Sequence, residues 1–229
     1  MILEIKKEID SHKNKRQAEV YAGFFKTGIS EYGEGDQFIG VKVPILRCIA
    51  KKYDSISLEK IKTLISSDIH EYRFIALVFL INKYRANTKQ KEQIFNFYVK
   101  NCKYINNWDL VDISAPHIFG DYLLDEPRNI LYQFAESENL WKKRISVVSC
   151  FAFIRKNDFK DILKISKILL RDKHDLIHKA IGWMLREVGK RDIAVLEEFL
   201  NTYHQKMPRT CLRYAIERME ESKRKKYLN

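Results

Sequence analysis

The sequence predicts an all-α fold, a solenoid of stacked helix pairs, on three observations. Only 8 Gly and 4 Pro interrupt 229 residues. Apolar residues recur at three and four positions rather than at two, the period of a helix face. Helical segments that open on a polar or charged residue and run into apolar ones recur at Arg73, Asp109, Arg144, Lys179 and Arg209, in steps of 36, 35, 35 and 30 residues. Such steps leave room for a second helix between anchors, so each unit buries its apolar face against its neighbours and the array curves around one concave face. An irregular helical bundle is the alternative that this periodicity leaves open.

Along the chain, the first forty or so residues are the least regular. "EYGEGDQFIGVKVP" carries Gly33, Gly35 and Gly40 ahead of Pro44, which is placed to open a helix. The glycine spacing fits neither the dinucleotide fingerprint nor the P-loop, and no strand precedes it, so the stretch reads as a connecting loop whose Lys42 faces a ligand. "HEYRFIALVFLINKY" and "KRISVVSCFAFIRK" read as core-facing helices, the second β-branched enough to admit a strand. In "NNWDLVDISAP" the amide of Asn106 or Asn107 caps a helix starting near Trp108, which makes Asp109 a first-turn acid favoured by the helix dipole. In "DLIHKAIGWMLREVGKRD", Ala180, Ile181, Met184, Leu185 and Val188 form a buried stripe, while Lys179, Trp183 and Arg186 line another face. With no low-complexity linker, residues 1–229 are expected to form a single domain.

Composition narrows the function. A hydrophobic content of 45% supports a substantial core, and 42 basic against 30 acidic residues give a net charge of +12. Such a field attracts polyanions, nucleic acid first, although a solvated lysine-rich surface gives the same count. Cys48, Cys102, Cys150 and Cys211 are far apart, which points to idle thiols in a reducing cytoplasm rather than to disulfides or zinc. No run is long enough to cross a bilayer, and the opening "MILEIKKEIDSHKNKRQ" lacks the apolar core of a signal peptide. His174 and His178 have the spacing of a helical metal pair, but the glutamate of that motif and a third ligand are missing. No cofactor is expected.

Asp112 is the residue that local structure does not account for. It lies four positions after Trp108, one turn on along the same helix face and past the reach of the first-turn dipole. It serves either as an ion-pair partner for an arginine of an adjacent repeat or as a functional acid. Trp183, set in its basic row, either covers an inter-helix seam or meets the backbone and sugar of a nucleic acid. Further cations at Arg144, Arg209 and Arg213 extend that row into a basic inner face.

The strings "WDLVD", "GDYLL", "LWKKR" and "HKAIGWMLRE" resemble the HEAT-like-repeat DNA alkylation repair proteins, and the likeness runs from "GVKVPILR" to "RTCLRYAIERM". The resemblance implies an alkylpurine DNA glycosylase that excises cationic N3- and N7-alkylpurines from duplex DNA without a base-flipping pocket. It implies that Trp108, Asp112 and Trp183 contact the deoxyribose of the damaged nucleotide and that Arg144 grips the DNA backbone. Lys42, Lys179, Arg186, Arg209 and Arg213 are the further cations expected to bind DNA. The family's paired tryptophans before the acid are here Asn107 and Trp108. The expected protein is a cytoplasmic monomer associated with the nucleoid through DNA; an inactive relative that binds distorted or branched DNA is the alternative.

Overall fold

The computed structural model describes residues 1–228. Among them are fourteen α-helices and no strand; a lone bridge joins Gln37 to Ile69. The chain expected as one domain is organised in two compact units, Met1–Ser114 and a second that begins at Ala115.

The first unit holds α1 (Ile2–Asp10), α2 (Lys15–Phe24), α3 (Val43–Lys52), α4 (Leu58–Ile65), α5 (His70–Ala86), α6 (Lys91–Asn101) and α7 (Trp108–Ser114). Within it α5 packs between α3 and α7, and α4 and α6 lie against α5. The second unit opens on a π-helical turn, Pro116–Gly120. There follow α8 (Asn129–Ala135), α9 (Leu140–Ile154), α10 (Lys160–Leu169), α11 (Asp175–Gly189), α12 (Ile193–Tyr203), α13 (Arg209–Ile216) and α14 (Glu221–Leu228). Here α9, α11 and α13 form a row, with α8, α10 and α12 packed against it. The five sequence anchors fall one each on α5, α7, α9, α11 and α13, every second helix of the chain. That alternation is what stacked pairs require, and it decides against the irregular bundle.

Two helices are buried nearly all round, which is why they carry apolar residues on every face. One is α5, with Phe74, Ile75, Leu77, Phe79 and Leu80 in the core. The other is α9, with Ile145, Val147, Val148 and Phe153. Its β-branched run folds as helix because Asn139 Oδ1 accepts the N–H groups of Trp141 and Lys142 at 3.0 Å, fixing the first turn. By contrast α11 is amphipathic, and all five residues of its expected stripe are buried. A Cβ on Gly182 of this helix would overlap the Cys211 carbonyl and the Tyr214 side chain of α13, so glycine sets how closely the two helices approach.

The glycine-rich loop between α2 and α3 is pinned to α5. Glu71 accepts the backbone N–H groups of Ile39, Gly40 and Val41, the shortest at 2.7 Å to Gly40. Gly40 has φ +81°, and a Cβ there would strike the Asn14 backbone, so only glycine fits.

Candidate functional site at the start of α7

At seven residues α7 is too short to hold itself by helix propensity, and side chains from three other segments fix its first turn. Asn107 Oδ1 accepts the N–H of Trp108 at 2.8 Å, which makes Asn107 the capping amide, and its Nδ2 donates to Asp36 at 2.9 Å. Asp109 Oδ1 accepts the N–H of Leu110, while its Oδ2 lies 2.8 Å from His70 Nε2. The other ring nitrogen of His70 is 3.0 Å from Asp36. Asp36 also pairs with the Arg73 guanidinium, which donates to the Ser67 carbonyl at 2.8 Å.

The side chains of Asp36 and His70 are 2% and 3% exposed. Burial by itself would lower the pKa of His70; the charge and hydrogen bond of Asp109, with those of Asp36, outweigh it and raise the imidazole to about 9. The protonated ring then donates to both carboxylates. For Asp36, burial raises and the His70 hydrogen bond and Arg73 charge lower, with a net fall below the usual carboxylate range. The helix dipole therefore gives only part of the reason for Asp109: its main partner is a buried imidazolium.

With its first turn fixed, α7 buries Leu110, Val111 and Ser114 and leaves Trp108 and Asp112 half-buried one turn apart. The Trp108 ring stacks on Phe25 at 5.3 Å and meets Phe24 edge-on at 5.7 Å. Behind the helix, Tyr98 is fully buried with its hydroxyl 3.0 Å from Ser114 Oγ. Burial raises its pKa, and the Asp112 charge adds to the rise.

In the second unit Trp183 is half-buried on α11, its ring 6.1 Å from that of Phe151. The cations expected around it are less open than expected. Arg144 is 4% exposed, and its Nη1 donates to the Leu176 carbonyl at 2.6 Å. Beside it Lys143 pairs with Asp172 at 2.8 Å, so "LWKKR" ties α9 to the loop that leads into α11. The Arg144 guanidinium is thus buried and hydrogen-bonded in the free protein. Lys179 pairs with Asp175 at 2.7 Å, and Arg186 pairs with Glu217, so each positive charge has a local counter-charge. Arg209 is exposed and donates to the Leu228 carbonyl at 3.0 Å. Arg213 and, in the first unit, Lys42 at the N-cap of α3 are exposed.

Among the described residues no group of three potential ligands could hold a metal ion. His174 caps α11, its Nδ1 accepting the Leu176 N–H at 3.1 Å, and His178 Nε2 donates to the Asp172 carbonyl at 2.5 Å. Asp36 and His70 are the site residues that sequence reasoning missed. They are separated from each other and from Asp109 by more than thirty positions, with no local motif to join them.

The family model for DNA alkylation repair enzymes matches residues 5–219. The chain belongs to the DNA alkylation repair enzyme family. Membership makes DNA the partner and repair of alkylated DNA the field of action. No curated protein matches the sequence significantly. A solved structure described as "Predicted DNA alkylation repair enzyme from Enterococcus faecalis" is similar at a TM-score of 0.72 and 19% identity, over 92% of this chain and 98% of that one. At that identity the likeness speaks for the shared fold.

Proposed function

We propose that this member of the DNA alkylation repair family is a glycosylase that hydrolyses the N-glycosidic bond of cationic N3- and N7-alkylpurines in duplex DNA. The supporting observation is the pair Trp108 and Asp112, half-buried one turn apart on a helix whose first turn is held by a buried network.

An N-alkylated purine carries a positive charge, so its glycosidic bond is already weakened and the base leaves without prior protonation. The remaining barrier is the oxocarbenium-like sugar. A carboxylate held near it supplies opposite charge where positive charge develops, and the contribution grows in a partly desolvated setting. Asp112 takes that role and orients the attacking water, whose proton passes to the Asp112 carboxylate as the sugar C1′–O bond forms. The Trp108 ring offers its electron-rich face to the same cation, worth about 0.5–2 kcal/mol.

Asp109 is not the catalytic carboxylate in this reading, because it is committed to His70. Trp183 is proposed as a further DNA contact, and Lys42, Arg144, Lys179, Arg186, Arg209 and Arg213 as backbone contacts. The protein is proposed to act as a monomer, without a pocket that encloses the base. Release of 7-methylguanine and 3-methyladenine from methylated duplex DNA tests the reading. Absence of release, with DNA binding intact, would leave a DNA-binding repeat protein without glycosylase activity.

A further inference from the structure

His70 reaches the start of α7 by two routes. Through Nε2 it bonds Asp109, whose other oxygen accepts the N–H of Leu110, so the contact grips the backbone of the turn that also carries Trp108. Through its ring it stacks on Phe38 at 4.5 Å and lies tilted against Phe25 at 5.1 Å, and Phe25 in turn stacks on Trp108 at 5.3 Å. One buried side chain is thus coupled to both the backbone and the ring of the residue one turn ahead of Asp112.

The two carboxylates on His70 are held unequally. Asp36 is 2% exposed and also pairs with Arg73 and accepts from Asn107, so it is fixed independently of the imidazole. Asp109 is 14% exposed, and its other hydrogen bond comes from the adjacent Leu110. An imidazolium has two N–H donors and serves both carboxylates, whereas a neutral imidazole has one donor and one lone pair. Loss of a proton to solvent therefore turns a lone pair towards one carboxylate, and Asp109 is the one with room to move out into water. The other charged or titratable groups around the ring are Glu71 and Arg73 of α5 and Tyr21 of α2. Glu71 is taken by the loop N–H groups, Arg73 pairs with Asp36, and burial raises the Tyr21 pKa.

We propose that His70 is a positioning residue for the site on α7, setting the placement of Trp108 and Asp112 through Asp109 and Phe25. The coupling holds while both ring nitrogens carry protons. Its consequence for base release rests on the glycosylase reading; its hold on Trp108 does not.

The test is a pH titration of protein labelled with fluorotryptophan, followed by fluorine NMR. The chain has three tryptophans, Trp108, Trp141 and Trp183, and Trp108→Phe assigns the first. Its resonance should shift with a midpoint near 9, where His70 gives up its proton, while those of Trp141 and Trp183 stay in place. In Asp109→Asn the midpoint should fall, because the carboxylate that does most to hold the proton is gone. In His70→Gln the shift should vanish, and if that variant does not fold, the wild-type and Asp109→Asn titrations decide. Single-turnover release of 7-methylguanine at saturating protein should fall with the same midpoint while duplex affinity is retained. The fall should reach up to about a hundredfold, the cost of misplacing a reacting group by roughly 1 Å. A Trp108 resonance that stays flat through that range, or shifts equally in His70→Gln, would overturn the proposal. Release that stays constant while the resonance shifts would overturn it too. A shift with no release at any pH would support the coupling and count against the glycosylase reading alone.

Discussion

His70 Nε2 lies 2.8 Å from Asp109 Oδ2, and this bond ties the first turn of α7 to the first turn of α5. Its strength depends on pH. The folded-state pKa of His70, about 9, lies above its ordinary value of 6.5, so the stabilisation is fully present below 6.5 and is lost as pH rises through 9. A shift of that size corresponds to something on the order of 3 kcal/mol. Chemical denaturation between pH 6.5 and 9 should show stability falling in wild type and a flatter profile in His70→Gln. A wild-type profile that is flat over this window would mean that His70 is not held as an imidazolium.

Arg144 is expected to act on stability before it acts on DNA. Arg144→Ala leaves the Leu176 carbonyl without its 2.6 Å donor and opens a hole in α9. Loss of a buried, hydrogen-bonded charge of this kind costs about 3 kcal/mol. For a chain of this length that is a fall in melting temperature of roughly 6–12 °C. A normal melting temperature with weakened DNA binding would leave Arg144 as a phosphate contact alone.

Much of the architecture was legible in the sequence because its signal is periodic. The five anchors at Arg73, Asp109, Arg144, Lys179 and Arg209 mark alternate helices, and the stripe from Ala180 to Val188 is buried as its spacing requires. A cap at Asn106 or Asn107 was legible from their place before Trp108, and the structure gives it to Asn107. Long-range polar pairing was not. Nothing local in "GEGDQF" shows that Asp36 accepts from His70, Arg73 and Asn107. Likewise nothing in the cationic row on α11 shows that Lys179 pairs with Asp175 and Arg186 with Glu217.

The paired and unpaired cations should separate in a DNA titration against salt. Neutralising one phosphate contributes a slope of about −0.9 to log K against log salt on duplex DNA. Lys42→Ala should reduce the slope by about one such unit. Arg186→Ala should change it less, because Glu217 already balances that charge. Equal losses in the two variants would show that Arg186 leaves Glu217 to bind DNA.

Gly182 should tolerate no side chain. Gly182→Val places branched carbons where the Cys211 carbonyl and Tyr214 stand, and forcing α11 from α13 should cost about 1–3 kcal/mol in denaturant unfolding. Unchanged stability would mean that the two helices can separate freely.

The central claim concerns Asp112, and the direct measurement is single-turnover release of 7-methylguanine by wild type and Asp112→Asn on the same methylated duplex. Removing a carboxylate that faces developing positive charge should lower the rate by about 10²–10³ while DNA affinity stays equal or rises slightly. Undiminished release by the asparagine variant would contradict the account and return Asp112 to a structural role.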